Sequence, residues 1–160
     1  MFPKSYKVYK SNCEFGETNE TDTLNILKKL YNLDIHQSKE KYCNFDFYSD
    51  DMIIELKSRR ISSFTYKNTM IGMKKVNLML ENPKRSYLLF KYTDKVLGLE
   101  LTKTNIKLFE QHAVNYFIPV ELLIPLDDLF SEYNNIYEDF HISENENQKK
   151  ENQKKEIENN

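Results

Sequence analysis

The chain has 160 residues, a hydrophobic fraction of 39% and a formal net charge of −2. That length favours one domain with a real core, and the near-neutral charge names no partner. Two cysteines, Cys13 and Cys43, are too few for a secreted disulfide framework, and no CxxC or Cys/His cluster points to zinc.

In chain order, the opening MFPKSYKVYK lacks an apolar signal core. No later stretch approaches the ~18 apolar residues of a membrane span. These features predict an intracellular, water-soluble protein. Residues 17–33 carry Leu24, Leu27, Leu30 and Tyr31 at helical spacing, with Thr18 or Asn19 as the expected N-cap. Lys41 to Phe47 reads as a first strand, Ser49-Asp50-Asp51 as a turn and Met52 to Lys57 as the returning strand. Residues 68–83 (NTMIGMKKVNLMLENP) read as a helix ended by Asn82-Pro83. SYLLFKY (86–92) and VLGLEL (96–101) form a hairpin. Residues 104–112 are a helix or turn, 116–124 a last strand and 126–140 a closing helix. The tail from His141 repeats ENQKK and lacks aromatic residues, so it is expected to be disordered or weakly helical. The folded unit is therefore expected over 1–140, as an α/β domain with a central mixed sheet flanked by helices.

The chemistry concentrates in FDFYSDDMIIELKSRR, residues 45–60. Strand side chains alternate, so Glu55 and Lys57 leave one face. With the turn centred between Ser49 and Asp50, Asp46 lies opposite Ile53 and joins that face. Two carboxylates and one ammonium then converge. Carboxylates are hard oxygen ligands suited to Mg²⁺, which keeps several waters and bridges to phosphate oxygens. Asp50 and Asp51 are assigned to the turn. His36, His112 and His141 lack ligand spacing and are read as structural or solvated.

Asp46, eight intervening residues and then Glu55-Leu56-Lys57 resembles the PD-(D/E)XK nuclease superfamily. The flanks agree: the ExK ends the apolar strand MIIELK, and an upstream helix supplies Glu20, Leu24 and Leu27 as E-x3-L-x2-L. The resemblance covers about residues 14–101, and Phe45 stands where the motif's name has proline. A looser likeness to small nucleases of large DNA viruses lies in ELKSRR followed by Tyr66, Thr69 and IGMKK.

The resemblance implies a restriction-endonuclease-like fold with an αβββαβ core, one strand coming from a less obvious segment. It implies a Mg²⁺-dependent nuclease, with Mn²⁺ able to substitute, acting on DNA in repair, recombination or junction processing. Asp46 and Glu55 would bind the ion with the Leu56 carbonyl as third ligand. Lys57 would position the attacking water. Glu20 would face the site, with Glu17 one turn earlier as its competitor. Residues 55–95 contain ten Lys/Arg against three Asp/Glu, which places Arg59, Arg60, Lys67 and Lys74 as candidates for the phosphate backbone. Lys84 and Arg85 are read instead as solvated charges. Paired cuts need two sites, which favours a homodimer. The rival readings are a nucleic-acid-binding module on the same fold without activity, and a surface pair worth only a few tenths of a kcal/mol.

Overall fold

The structure is a computed structural model that describes residues 4–31, 33–39 and 45–133. The expected tail, Cys43 and the stretch 41–44 lie outside those residues, as does the closing helix beyond residue 133.

The chain enters through α1 (Lys4–Leu30), a much longer helix than residues 17–33. Neither Thr18 nor Asn19 caps it, because both lie well inside the helix. The hydroxyls of Thr18 and Thr21 turn back along it and donate to the carbonyls of Glu14 at 2.9 Å and Glu17 at 3.1 Å, as Ser and Thr do inside helices. The buried stripe is Asn19, Thr23, Leu27 and then Tyr31 just past the helix end, an i, i+4 row whose first half is polar. Apolar periodicity therefore starts late although the helix does not.

Six strands form one sheet in the order β1 (His36–Gln37), β2 (Phe47–Tyr48), β3 (Met52–Ser58), β5 (Arg85–Lys91), β6 (Val96–Leu101) and β9 (Ile124–Pro125). β3 and β5 are parallel and the other neighbours antiparallel. The crossover between β3 and β5 passes through β4 (Asn68–Gly72) and α2 (Met73–Glu81). β4 belongs to a second sheet, ordered β4, β8 (Asn115–Pro119) and β7 (Glu110–His112). A short α3 (Leu126–Leu129) follows β9.

The first five residues of the expected helix over 68–83 are thus a strand. Thr69 and Ile71 are buried while Met70 between them is exposed, the alternation of a half-covered strand. Pairing with β8, from Asn68↔Pro119 to Gly72↔Asn115, overrides the helical spacing of the methionines. α2 begins only after Gly72, whose backbone is extended.

The main sheet is covered on both faces. Ile53, Leu88 and Phe90 pack with Val76, Met79 and Ile118 on one side. Met52, Ile54 and Leu56 pack with Leu27, Tyr87, Leu89 and Phe130 on the other. A sheet buried on both faces reads as a continuous apolar run, which MIIEL is but for one residue. Gly98 in β6 permits the closest approach within this core. A Cβ there would sit 2.5 Å from Leu89 Cδ2, 2.8 Å from the Leu88 carbonyl oxygen and 2.9 Å from Leu129 Cδ2. Gly98→Ala is expected to destabilise the fold by about 1–3 kcal/mol through overpacking against backbone. Thermal unfolding of the variant checks this.

Candidate active site

The site lies just before β2 begins, beside the second half of β3. The observed pairs are Phe47↔Ile54 and Tyr48↔Ile53, so the turn is centred between Asp50 and Asp51, one residue later than the sequence suggested. Asp46 therefore stands level with Glu55, not Ile53. The turn itself is built by Ser49, whose hydroxyl donates to Asp51 Oδ1 at 2.6 Å.

Ladder pairing of β2 with β3 starts at Phe47↔Ile54, and the Leu56 N–H lies beyond those pairs. The Asp46 side chain meets it: Oδ2 accepts the Leu56 N–H at 2.7 Å. In a ladder a residue's N–H and C=O leave the same edge. The Leu56 carbonyl thus opens on the edge that Asp46 occupies.

Glu55 is almost wholly buried, at 1% exposure. It survives there because two ammonium groups reach it: Lys57 Nζ at 2.5 Å from Oε1 and Lys75 Nζ at 3.0 Å from Oε2. A buried carboxylate without such partners would cost several kcal/mol. Asp46 is less well compensated. Burial first, and then the charge of Glu55, push its carboxyl up to about 7; the Leu56 N–H and Lys57 oppose that rise, and Glu20 adds to it. Glu20 is half-buried and accepts a hydrogen bond from Gln37 Nε2 at 3.0 Å. Glu17 is exposed. Asp46, Glu55, Lys57 and Glu20 are thus brought into one electrostatic cluster.

The basic candidates separate into two pairs. Arg59 turns inward: its guanidinium donates to the Met70 carbonyl and, at 3.3 Å, to Thr69 Oγ1, and lies 5.6 Å from the Phe90 ring centre. Arg60 holds α1, donating to the Ser11 carbonyl at 3.0 Å and stacking 4.1 Å above the Phe15 ring centre. Lys67 and Lys74 are exposed and have no carboxylate partner among the described residues. We expect Lys67→Ala and Lys74→Ala each to lower the salt slope of duplex binding by ~0.9. Arg59→Ala should instead cost about 1–3 kcal/mol of stability by orphaning β4 acceptors. Salt-dependent binding and thermal melts separate the two classes. Lys84 and Arg85 are not simply solvated: Lys84 Nζ donates to the Ser49 carbonyl at 2.5 Å, and Arg85 is shared between Glu100 and Glu132.

Two participants escaped the sequence. Lys75 belongs to the basic run but carried no mark that separated it from Lys74. It flanks Val76 and Met79, the buried positions of α2, and that flank is the face turned toward β3. Gln37 sits in a two-residue strand too short to leave a pattern.

No protein-family model matches this sequence, and no curated protein matches it. Among solved structures, the chain is similar to Archaeoglobus fulgidus Hjc, a Holliday junction resolvase from an archaeal hyperthermophile. The TM-score is 0.51 at 12% identity, and the match covers 71% of this chain and 98% of that one. The fold is restriction-endonuclease-like. In this fold α1, β1, β2, β3, α2 and β5 supply the αβββαβ core, and β1 is the strand that the sequence did not display. No helix among the described residues is long and apolar enough to cross a membrane.

No group of three or more acidic, histidine or cysteine side chains is assembled around one point among the described residues. Asp46, Glu55 and the Leu56 carbonyl are hard oxygen donors, and both Glu55 oxygens are ion-paired here, so Glu55 must release Lys57 or Lys75 to ligate a cation. That set fits Mg²⁺, which takes one or two carboxylates and fills its other positions with water and phosphate oxygens. A cation would also offset the burial and the Glu55 charge that together raise Asp46.

Proposed function

We propose that this chain is a divalent-cation-dependent nuclease that hydrolyses DNA phosphodiester bonds, with branched DNA as its preferred substrate. The observation that carries the reading is the buried Glu55 clasped by Lys57 and Lys75 beside the raised Asp46. A carboxylate desolvated this far, next to a second carboxyl that burial holds near neutrality, is the mark of a working site more than of a surface ion pair. The similarity to a Holliday junction resolvase directs the choice of DNA substrate.

Asp46, Glu55 and the Leu56 carbonyl would hold Mg²⁺, with Mn²⁺ able to substitute. When bound, the cation supplies charge neutralisation at the phosphate and a more acidic water. The protein's own part is positional. Lys57 is half-exposed and spends one of its three N–H donors on Glu55. The others would orient the water that forms the new P–O bond while an ester P–O bond breaks and the leaving oxygen takes a proton. Lys75 holds Glu55 in place from α2. Glu20, oriented by Gln37, adds negative charge beside Asp46. Lys67 and Lys74 would contact the phosphate backbone, and a homodimer would present two such sites for paired cuts.

The test is incubation of the protein with four-way junctions, flaps, nicked and linear duplexes, with Mg²⁺ and with EDTA. The proposal expects Mg²⁺-dependent cleavage, strongest on branched DNA. Tight binding without cleavage under any divalent cation would leave an inactive binding module in its place.

A further inference from the structure

A groove of about 780 Å³ runs between α1 and the β1–β2 edge of the sheet. It adjoins the candidate active site through two residues. Gln37 lines it and donates to Glu20, and Phe45 lines it and immediately precedes Asp46. Its walls combine cations with rings. Lys28 and Lys39 are exposed and lack carboxylate partners among the described residues. Tyr48 is 39% exposed and stands between His36, at 5.8 Å between ring centres, and Phe45, at 6.4 Å. Those rings lie beside Tyr48 while leaving part of it open.

Phe45 packs against the core, whereas Tyr48, Lys28 and Lys39 belong to neither core cluster. Tyr48 pairs with Ile53 in the ladder, and of the two β2 residues Phe47 is buried and Tyr48 is not. An exposed tyrosine packed against two rings, in a groove lined by two lysines without carboxylate partners among the described residues, has the composition of a single-strand binding surface. Bases stack on the ring regardless of sequence, and the ammonium groups follow the backbone. Duplex DNA keeps its bases inside and could use only the lysines.

We propose that this groove binds an unpaired DNA segment next to the scissile phosphate, with a base stacked on Tyr48 and phosphates on Lys28 and Lys39. The proposal deepens the nuclease reading, on which it rests for the direction of the strand toward Asp46. It would make the enzyme select DNA whose pairing is interrupted beside the cut.

The experiment measures equilibrium binding in EDTA, where no metal-dependent cleavage competes. Wild type, Tyr48→Phe, Tyr48→Ala and Lys28→Ala/Lys39→Ala are titrated against oligothymidylate carrying one 2-aminopurine, and against a fully paired duplex. Tyr48→Ala should bind the single strand about 5- to 100-fold more weakly, the size of one lost stack, and bind the duplex as wild type does. Tyr48→Phe should keep both affinities, and 2-aminopurine quenching should disappear only in Tyr48→Ala. The double lysine variant should lose about 1.4 from the magnitude of the single-strand salt slope. Equal losses on both DNAs, or single-strand binding by Tyr48→Ala equal to wild type, would overturn the inference even if wild type cleaves DNA. Tyr48-dependent single-strand binding by a protein that cleaves nothing would uphold the groove and remove the nuclease assignment.

Discussion

Lys57→Ala should lose at least about a hundredfold in cleavage rate while still binding DNA and still folding. Glu55 is the reason the variant remains informative. With Lys57 gone, the buried carboxylate keeps Lys75 at 3.0 Å, so the charge is not abandoned in the interior. The penalty on stability should stay near 1–2 kcal/mol, below the usual cost of breaking a buried pair outright. Loss of a positioned donor at the reacting group costs about 10²–10³ in rate. Single-turnover cleavage and anisotropy binding on the same DNA measure the two quantities. A decline in binding that matches the decline in rate would make Lys57 a phosphate anchor instead. A Glu55–Lys57 pair that was only structural would leave the two rates alike.

Asp46→Asn should do the reverse of what most buried substitutions do: it should stabilise the protein at neutral and higher pH. Burial and Glu55 raise the Asp46 carboxyl from 3.8 to about 7. The folded chain therefore keeps a proton that the unfolded chain releases. Stability from this group is complete below pH 4, falls as pH rises through the interval to about 7, and stays low beyond it. Asparagine removes the titration and keeps an oxygen for the Leu56 N–H. We expect equal stability near pH 3.5 and a gain of about 1–3 kcal/mol at pH 8, less than full linkage because Asp46 is not wholly buried. Thermal melts across pH 3.5–8 in EDTA provide the measurement. Mg²⁺ should then raise the melting temperature of wild type and not of Asp46→Asn, since a ligand stabilises only the state that binds it.

The sequence made the centre of this site legible and its periphery obscure, for physical reasons. Glu55 and Lys57 announce themselves because a charge inside MIIELK interrupts an otherwise apolar strand and because period-two alternation is rigid. The turn was placed one residue early. That moved the pairing register by two, from Asp46 opposite Ile53 to Asp46 level with Glu55, an even step that kept Asp46 beside its partners. Lys75 reaches Glu55 only through the packing of α2 on the sheet, and no local pattern encodes that contact. β4 hid inside a helical spacing of methionines because its partner, β8, lies more than forty residues downstream. Arg59 and Arg60 looked available to phosphate because linear charge density does not reveal inward turns. One is spent on the β4 backbone and the other on α1.

The central claim, that Asp46, Glu55 and Lys57 form a cation-dependent phosphodiester-hydrolysing centre, is tested most directly by a single-turnover start. Protein and a four-way junction are premixed in EDTA-treated buffer, and Mg²⁺ is added in excess to wild type and to Asp46→Asn. The account predicts that wild type cuts only after Mg²⁺ arrives, while Asp46→Asn stays bound to intact DNA. Cleavage before the cation is added, or equal cleavage by Asp46→Asn, would contradict it.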